Sequence, residues 1–467
     1  MKMSLDAIYR YSPIPLQNLL CSLYGYRLVQ RRYSEQYLKL ERDVIARDTL
    51  SREAMESFCR NRLQAAVRHA AATAPYYRRL FREMGLDPAE VKSPRDLQAL
   101  PILDKREVQE HLREFVSESL PALSHSTAHT SGTTGAGLIF PMSLSSEQEQ
   151  WAVWWRYRQR FGLDRTTWYA HFYGKSVVSI HQKRPPFWRI NQPGRQILFS
   201  AYHMTDDNLP AYVAELNRRQ PPWIQGYPSL LAMLACFMLD RGLRLNYRPG
   251  VVTIGAESLL PHQKAAIEQA FGAPCRQHYG MTEAVANISE CPQGRLHVDE
   301  DFGLVEFVPN GDRSARIIAT GYSNAAFPLL RYDTGDIAEL YPDSASCSCG
   351  LPGRLVRAID GRVEDYVVTP EGSRIGRMDH IFKDMVNIRE SQIYQESPGS
   401  VVFRIIKGTG YGLTDEAILL REARKRLGNE IRIEIDYVAE LERSSRGKLR
   451  FVISKIKSAH IGANAAP

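Results

Sequence analysis

The stretch HTSGTTGAG, residues 129–137, combines three glycines with four residues that carry hydroxyl groups. Such residues are common in loops, because glycine tolerates unusual backbone angles and short polar side chains bond to nearby backbone groups. One interpretation of the stretch is therefore a plain connector between two elements. The other is a loop that binds phosphate groups, and the rest of the sequence has to decide between them.

A phosphate-binding loop would use both kinds of residue. Gly132 and Gly135 would let the backbone approach an anion closely, and Ser131, Thr133 and Thr134 would add hydroxyl donors. The stretch does not match a standard P-loop, because no lysine follows Gly135.

Length and composition predict a globular protein of two or three domains. The chain has 467 residues, of which 44% are hydrophobic and 24% are charged. A net charge of +8 suits an anionic ligand, but no basic stripe interleaved with aromatic residues indicates nucleic acid. Seven cysteines in so long a chain favour a reducing, cytoplasmic location over a disulfide framework.

The apolar stretch PIPLQNLLCSLYGYRL, residues 13–28, is too short and too polar to span a bilayer. No secretory signal is expected, because the N-terminus lacks a basic region followed by an apolar run. The stretch favours a packed or surface-lying helix, and weak association with a membrane surface stays open as an alternative.

The order of predicted elements indicates an α/β fold. Residues 35–120 have helical spacing with a break at Pro75, and a tryptophan-rich helix capped by Ser145 or Ser146 follows the glycine-rich loop. Alternating strand and helix patterns then extend from about 167 to 340, which favours a parallel or mixed sheet with flanking helices.

A domain boundary is predicted near DGRVED, residues 360–365. Two strand patterns beyond it enclose a helix that would begin at Thr414 as its cap and end at Gly428. We therefore expect a large domain over residues 1–360 and a small α+β domain over residues 361–467, joined by a hinge.

Four further motifs occur in a fixed order: GAE (255–257), HYGMTE (278–283), RYDTGD (331–336) and RSSRGKLR (443–450). Together with TSGTTG, they resemble the adenylate-forming superfamily of acyl-CoA synthetases, luciferases and adenylation domains. Within it the chain resembles the phenylacetate–CoA ligase branch, on HAAATAPYYRRLFREMG, LPILDK and LHVDED as well. Its beginning, PIPLQNLLCSLYG ahead of RRYSEQY, is similar to the capsular-polysaccharide-biosynthesis ligases of that branch.

The resemblance implies an enzyme that joins a carboxylic acid to an acceptor with ATP. The carboxylate would attack the α-phosphorus of ATP, forming an acyl-AMP and releasing pyrophosphate, and the acyl group would then pass to an acceptor. Two anions must meet in the first step, so positioning and electrostatic stabilisation would dominate catalysis. The glycine-rich loop would hold the β- and γ-phosphates.

Individual roles follow from the same resemblance. Lys448, Glu283 and Thr282 would be catalytic: Lys448 would bridge the α-phosphate and the attacking carboxylate, Thr282 would contact the α-phosphate, and Glu283 would hold Mg2+. The remaining nucleotide-binding residues would be Ser131, Gly132, Thr133, Thr134, Gly135, Gly255, Ala256, Glu257, His278, Tyr279, Asp336 and Arg362. Among these, Tyr279 would stack on adenine and Asp336 would bind the ribose hydroxyls.

Other interpretations of these motifs stay open. Glu257 and Asp333 also suit a helix cap or a turn. The segment after Gly361 departs from the CoA ligases, so Glu364 or Asp365 would be the pivot and the acceptor could be CoA, an amine or a carrier thiol. The acyl pocket has five candidates: His171, Phe172, Tyr173, Tyr227 and Pro228.

A second constellation indicates a metal. Cys291 and His297, with the distant pair Cys347 and Cys349, supply three thiolates and one imidazole, which suits a closed zinc site. The phenylacetate ligase branch carries a similar set at the same two places. The alternative is a group of reduced thiols without a metal.

Two rival functions remain at this level. One is a nucleotide-binding scaffold without catalysis, against which Glu283, Asp336 and Lys448 are all present. The other is an NTPase that forms ADP. The acid substrate and the oligomeric state are not predicted.

Overall fold

The structure of the protein is a computed structural model. It describes residues 9–130, 138–310, 314–342, 345–360, 367–370, 374–375, 378–382, 385, 387–408, 410–442 and 451–456.

Helices in the described residues begin and end largely at proline, glycine and short polar residues. Pro75 separates two helices as predicted, and the second ends at Gly85, whose φ of 64° is left-handed. The helices are α1 (Ile14–Arg32), α2 (Glu35–Ala46), α3 (Arg52–Thr73), α4 (Pro75–Met84), α5 (Pro94–Leu97), α6 (Lys105–Glu110), α7 (Leu112–Phe115), α8 (Leu144–Gln159), α9 (Leu209–Arg219), α10 (Pro228–Asp240), α11 (Pro261–Phe271) and α12 (Leu413–Leu427).

Most described strands belong to one mixed sheet. A two-stranded hairpin precedes it, formed by β1 (His125–His129) and β2 (Ile139–Ser143). The sheet contains β3 (Tyr169–Tyr173), β4 (Trp188–Asn191), β5 (Gln196–Ser200), β6 (Trp223–Gly226), β7 (Val251–Gly255), β8 (Cys275–Gly280), β9 (Asn287–Glu290), β10 (Leu296–Val298), β11 (Gly303–Pro309), β12 (Ser314–Gly321), β13 (Tyr332–Leu340) and β14 (Leu355–Asp360). Their order is β11-β12-β13-β14-β10-β9-β8-β7-β6-β3-β5-β4.

The centre of this sheet is parallel and its two sides are antiparallel. Strands β5, β3, β6, β7 and β8 run parallel, and helices follow several of them. The predicted alternation of strands and helices is wrong beyond β8, because β9 to β14 pair antiparallel without intervening helices. Hairpin connections need only short turns, so this half of the sheet lacks the helical crossovers of the parallel half.

Two hydrophobic cores cover the sheet. One packs the N-terminal helices and α8 against the antiparallel side, with Phe140 and Phe302 at its centre. The other packs α9, α10 and α11 against the parallel strands. Strand β7 is buried along its whole length, as expected for a strand covered on both faces. The carboxyl ends of the parallel strands therefore open at one edge, where α/β proteins place ligands.

Helix α1 lies along the edge strand β4. Asn18 Oδ1 accepts a hydrogen bond from the backbone N–H of Ile190 at 2.9 Å, while Leu16, Leu19 and Leu23 are exposed. The helix is thus packed on one side and open on the other, and membrane association stays a prediction. Every helix in the described part of the chain is too short or too polar to cross a bilayer.

Helix α8 begins earlier than predicted. Its cap is Ser143, whose hydroxyl accepts a hydrogen bond from the backbone N–H of Ser146 at 3.3 Å, so the prediction of Ser145 or Ser146 is wrong. Strand β2 leads directly into the helix, and the last strand residue is in the extended conformation that a cap requires.

The C-terminal residues form a second, smaller sheet. A short hairpin, β15 (Val367–Val368) and β16 (Arg374–Ile375), precedes β17 (Ile388–Gln395), β18 (Ser400–Lys407), β19 (Arg432–Tyr437) and β20 (Val452–Ser454), whose order is β19-β18-β17-β20. Helix α12 packs on this sheet over a core of its own. The predicted fold class, a large α/β part with a small α+β part, is confirmed, while the boundary at residue 360 stays a prediction.

Helix α12 is capped by Gly412 and not by Thr414. The carboxylate of Asp415 accepts a hydrogen bond from the Gly412 N–H at 2.9 Å, and Thr414 lies inside the first turn. The helix ends at Gly428, as predicted, where φ is 82°.

Candidate functional site

A large cavity lies at the carboxyl ends of the parallel strands. Its volume is about 990 Å³, at the upper end of the range of ligand sites. Of the four motifs, the three that the structure describes line it, although they are separated by many residues in the sequence. The fold brings them together because β7 and β8 end at this edge and β13 begins there.

The GAE motif follows β7. A Cβ atom on Gly255 would lie 3.0 Å from the carbonyl oxygen of His278, so the close approach of β7 and β8 favours glycine. Ala256 has a φ of 68°, which sharpens the turn. Glu257 lines the cavity, and its carboxylate also accepts a hydrogen bond from the Ser229 N–H at 3.1 Å in the first turn of α10. Glu257 therefore makes the helix-cap contact that was one of its two interpretations.

His278 is a neutral imidazole beside the cavity. It lies between the rings of Tyr157 and Trp154, at 5.4 and 5.5 Å, and its Nε2 donates a hydrogen bond to Asn287 Oδ1 at 2.6 Å. Burial lowers its pKa to about 4, so the ring carries no charge at neutral pH.

Tyr279 and Asp336 join two motifs directly. The Tyr279 hydroxyl donates a hydrogen bond to Asp336 Oδ2 at 2.9 Å. Gly335, with a φ of 75°, lies inside β13 directly before Asp336, and Asp333 Oδ1 accepts the Gly335 N–H at 3.0 Å. Asp333 thus has a local structural contact, but it lies in a strand and not in the predicted turn. A carboxylate can accept several donors at once, so Asp336 can also bind hydroxyl groups of a ligand.

Thr282 and Glu283 complete the described part of the predicted nucleotide site. Thr282 is exposed to the cavity, and Glu283 is buried at its wall. The Tyr332 hydroxyl is 3.5 Å from Glu283 Oε1. Carboxylate oxygens at this end of the cavity suit a hard cation such as Mg2+.

The predicted acyl-pocket residues divide into two groups. His171 and Tyr173 line the cavity and stack on each other at 4.5 Å. Phe172 lies instead in the core, stacked on Phe199 at 4.5 Å, because successive strand residues point to opposite faces. Tyr227 is buried behind Tyr173, with ring centroids 4.4 Å apart, and Pro228 begins α10. The last three residues therefore support the cavity wall without lining it.

Several cavity residues were missed by the sequence analysis. They are cations and amides: Arg31, Arg32, Gln150, Arg158, Arg165, Lys175, Gln196 and Gln225. Gln150 belongs with the nucleotide motifs, because its side-chain amide donates a hydrogen bond to the carbonyl oxygen of Met281 at 2.7 Å. One signal was present in the sequence, because Trp151, Trp154, Trp155 and Arg158 have the spacing of one helical face.

The four predicted metal ligands lie together. The ligand atoms of Cys291, His297, Cys347 and Cys349 are all within 4.8 Å of one another. The Cys291 and Cys347 sulfurs are 3.8 Å apart, and Cys349 Sγ is 3.3 Å from His297 Nε2. A tetrahedral zinc with bonds of about 2.3 Å to sulfur and about 2.0 Å to nitrogen would hold its ligand atoms roughly 3.5–3.8 Å apart, which is near the two contacts of 3.8 and 3.3 Å. The set therefore fits a metal ion.

Part of the predicted site lies outside the described residues. This part comprises Ser131, Gly132, Thr133, Thr134, Gly135, Arg362, Glu364, Asp365 and Lys448. The roles of these residues stay predictions.

Comparison with known proteins agrees with the resemblance. A family model, the CapK C-terminal domain, matches residues 367–455. The chain is similar to Protein CapK of Staphylococcus aureus, with 24% identity over 463 residues, covering 97% of this chain and 100% of the relative. It is also similar to the phenylacetate-coenzyme A ligase of Thermus thermophilus, with 25% identity, covering 69% of this chain and 73% of the relative.

Solved structures share the fold. A 2-hydroxyisobutyryl-CoA ligase in the postadenylation state, in complex with 2-HIB-AMP, has a TM-score of 0.54 and 19% identity, covering 88% of this chain and 91% of the neighbour. The same ligase with 2-HIB-AMP and CoA has a TM-score of 0.55 and 19% identity, covering 87% and 91%. The predicted resemblance to adenylate-forming ligases is confirmed, and the named relatives of stated activity are enzymes.

Proposed function

We propose that this chain, which is similar to Protein CapK and to phenylacetate–CoA ligases, activates a carboxylic acid as an acyl-AMP with ATP and transfers the acyl group to an acceptor. The observation that carries the proposal is the cavity. It brings Gly255, Tyr279, Thr282 and Asp336 from three separate motifs to one edge of the sheet. The fold shared with acyl-CoA ligases supports it.

The described residues suggest how ATP would be held. Tyr279 would pack on the adenine, and Asp336, already bonded to the Tyr279 hydroxyl, would accept the ribose hydroxyls. The α-phosphate would then lie near Thr282. Glu283 would hold Mg2+, which would bridge phosphate oxygens and offset their charge. The glycine-rich loop and Lys448 would complete the site as predicted from the sequence.

The second half-reaction needs an acceptor, and CoA is the first to test. One structural neighbour is described with 2-HIB-AMP and CoA together. An amine or a carrier thiol would serve the same chemistry. The resemblance to capsular-polysaccharide ligases suggests a role in polysaccharide biosynthesis, in the cytoplasm.

We also propose that the Cys/His cluster is a structural zinc site. All four ligand positions come from the protein, so no position is left for a reacting group. Magnesium prefers oxygen ligands and would bind elsewhere.

The first half-reaction is tested by pyrophosphate exchange into ATP across a panel of carboxylic acids. The proposal predicts exchange only when a suitable acid is present, and product analysis should give AMP and pyrophosphate. Asp336→Ala should weaken AMP binding by about 2–3 kcal/mol, as expected for the loss of a charge-assisted hydrogen bond. Release of ADP would indicate an NTPase, and ATP binding without turnover would indicate a scaffold.

A further inference from the structure

Two cations at the cavity have no carboxylate partner among the described residues. Arg158 on α8 and Lys175 after β3 both line the cavity, and neither forms a salt bridge within the described part of the chain. The other cations on this side are paired: Arg31 and Arg32 contact Glu147 at 2.6 and 3.1 Å, and Arg165 contacts Glu41.

Aromatic rings enclose the Arg158 side chain. Its guanidinium lies over Trp155 at 4.8 Å, Trp223 at 5.3 Å and Trp151 at 5.6 Å. The residue is only 8% exposed. Cation–π contacts offset part of the cost of burying this charge, but a buried charge is normally paired with an opposite one. The arrangement therefore holds a fixed positive charge towards the cavity.

Lys175 adds a second positive charge on the same side. Its side chain lines the cavity and stays accessible to solvent. Partial desolvation by the cavity walls lowers its pKa, and the neighbouring Arg32 lowers that pKa further. An anion bound in the cavity would reverse both effects, since it would stabilise the charged ammonium.

His171 lines the same cavity and lies in electrostatic reach of both cations. Burial lowers the pKa of His171 well below its usual value, and the charges of Lys175 and Arg158 lower it further. Both ring nitrogens lack a hydrogen-bond partner among the described residues. Because both nitrogens are also buried, His171 contributes an uncharged ring to this wall and does not compete with the two cations for an anion.

The cations are separate from the nucleotide motifs. Trp154 packs on His278, which precedes Tyr279, whereas Arg158 lies one turn further along α8 against Trp223 of β6. The carboxylates Glu283 and Asp336 stand at the nucleotide end. The cavity thus has an acidic nucleotide end and a basic end, next to His171 and Tyr173 of the predicted acyl pocket.

We propose, on the basis of the adenylation function above, that the acid activated by this chain carries a second anionic group that binds Arg158 and Lys175. The first carboxylate of the acid would meet ATP, while the second group, a carboxylate or a phosphate, would lie at the basic end. Amide groups such as that of Gln225 would contact the polar atoms between them.

The test uses acids that differ only in the distant charge. Calorimetry on the AMP-saturated protein would compare succinate, adipate and suberate with their monoamides, and phosphonocarboxylates of the same lengths would distinguish a phosphate from a carboxylate. We expect at least one anionic acid to bind about tenfold or more tightly than its neutral partner. The double variant Arg158→Met/Lys175→Met should lose that preference, and Arg158→Lys should retain most of it.

Controls separate this inference from the proposed function. Lys39→Met, an exposed lysine on α2, should leave the preference unchanged, and thermal melting would verify that each variant is folded. The inference would be overturned if each anionic acid bound no more tightly than its neutral monoamide. It would also be overturned if none of the acids bound. The inference would also be overturned if the Arg158→Met/Lys175→Met variant lost CoA binding but still preferred the anionic acids to their monoamides. A failure of AMP to bind, with the preference intact, would contradict the nucleotide site alone.

Discussion

His203 has a fixed neutral form because of its two neighbours. Its Nε2 donates a hydrogen bond to the carbonyl oxygen of Ser179 at 3.1 Å, and its Nδ1 is 2.8 Å from the hydroxyl of Ser200. The ring stacks on Phe187. A proton added to Nδ1 would remove an acceptor from this buried site, and burial accordingly lowers the pKa of His203 to about 4.

This pKa predicts a loss of stability in mild acid. The unfolded chain binds a proton near pH 6.5, whereas the folded chain does so only near pH 4, so the stability that His203 contributes is present above pH 6.5 and falls as the pH approaches 4. The loss should be on the order of 3 kcal/mol over that range. Urea unfolding measured across these pH values in the wild type and in His203→Gln checks it.

The free energy of unfolding of His203→Gln should depend less steeply on pH than that of the wild type. His262→Gln, which changes an exposed histidine, provides the matched control and should keep the wild-type slope. Identical slopes for His203→Gln and the wild type would show that His203 does not titrate differently on folding.

Single residues show how far the sequence could predict the site. The motif positions Gly255, Tyr279 and Asp336 were predictable through the resemblance to adenylate-forming ligases, and the cavity does bring them together. Phe172 was misplaced, since strand alternation decides which of two neighbours faces a cavity and the strand register was not known. Lys175 could not be predicted, because its significance arises from the lack of a salt-bridge partner within the part of the chain that the structure describes.

At the scale of elements, helix α8 joins the two halves of the site. One face carries Trp154 and Arg158 to the cavity. Another carries Arg156, which bonds Asp299 at 2.8 Å and Asp301 at 2.9 Å between β10 and β11. This buried pairing gives the LHVDED motif a structural role that the resemblance did not reveal.

The turn between β9 and β10 and the loop before β14 are joined by the metal-ligand cluster. Cys291 stands in the turn and His297 on β10 directly after it, while Cys347 and Cys349 stand on the loop before β14. We predict about one zinc per chain in protein purified without added metal, since a closed site of this kind couples binding to local folding. Mass spectrometry of the metal content is the direct check.

Cys347→Ser should lower the zinc content and the melting temperature together, because one thiolate of four is lost. Cys236→Ser, which changes a cysteine of α10 outside the cluster, should leave the zinc content unchanged. A zinc content near zero in the wild type would refute the zinc assignment.

Helix ends were the least predictable feature of the elements. The patterns located α8 and α12, but their caps are Ser143 and Gly412, because the residue that satisfies the first backbone N–H groups depends on the preceding chain direction. The sequence analysis likewise did not predict that β9 to β14 form a continuous antiparallel group. Their pairing is decided by contacts between distant residues, which local patterns do not contain.

At the scale of the whole molecule, we expect the two parts of the chain to contribute different residues to the two half-reactions. The nucleotide motifs described here belong to the large sheet, whereas Lys448 belongs to the C-terminal part of the sequence. If the large and small parts of the chain rearrange between the half-reactions, a catalytic lysine in the small part would take part in adenylation and not in acyl transfer. Lys448→Ala should then slow acyl-AMP formation by roughly two to three orders of magnitude.

The same variant should consume a chemically supplied acyl-AMP at a near-normal rate and should still bind ATP. Single-turnover assays of each half-reaction separate the two effects. An equal loss in both half-reactions would mean that Lys448 supports the structure in general and does not act in the first step alone.

The central claim, attack of a carboxylate on the α-phosphorus of ATP, is tested most directly by an isotope transfer. The enzyme would be supplied with ATP, an acceptor and an acid that supports pyrophosphate exchange, with oxygen-18 in both carboxylate positions of the acid. Our account predicts that the AMP formed carries one labelled oxygen per turnover, because that oxygen leaves the acid with the phosphorus. Unlabelled AMP, or ADP as the nucleotide product, would contradict it.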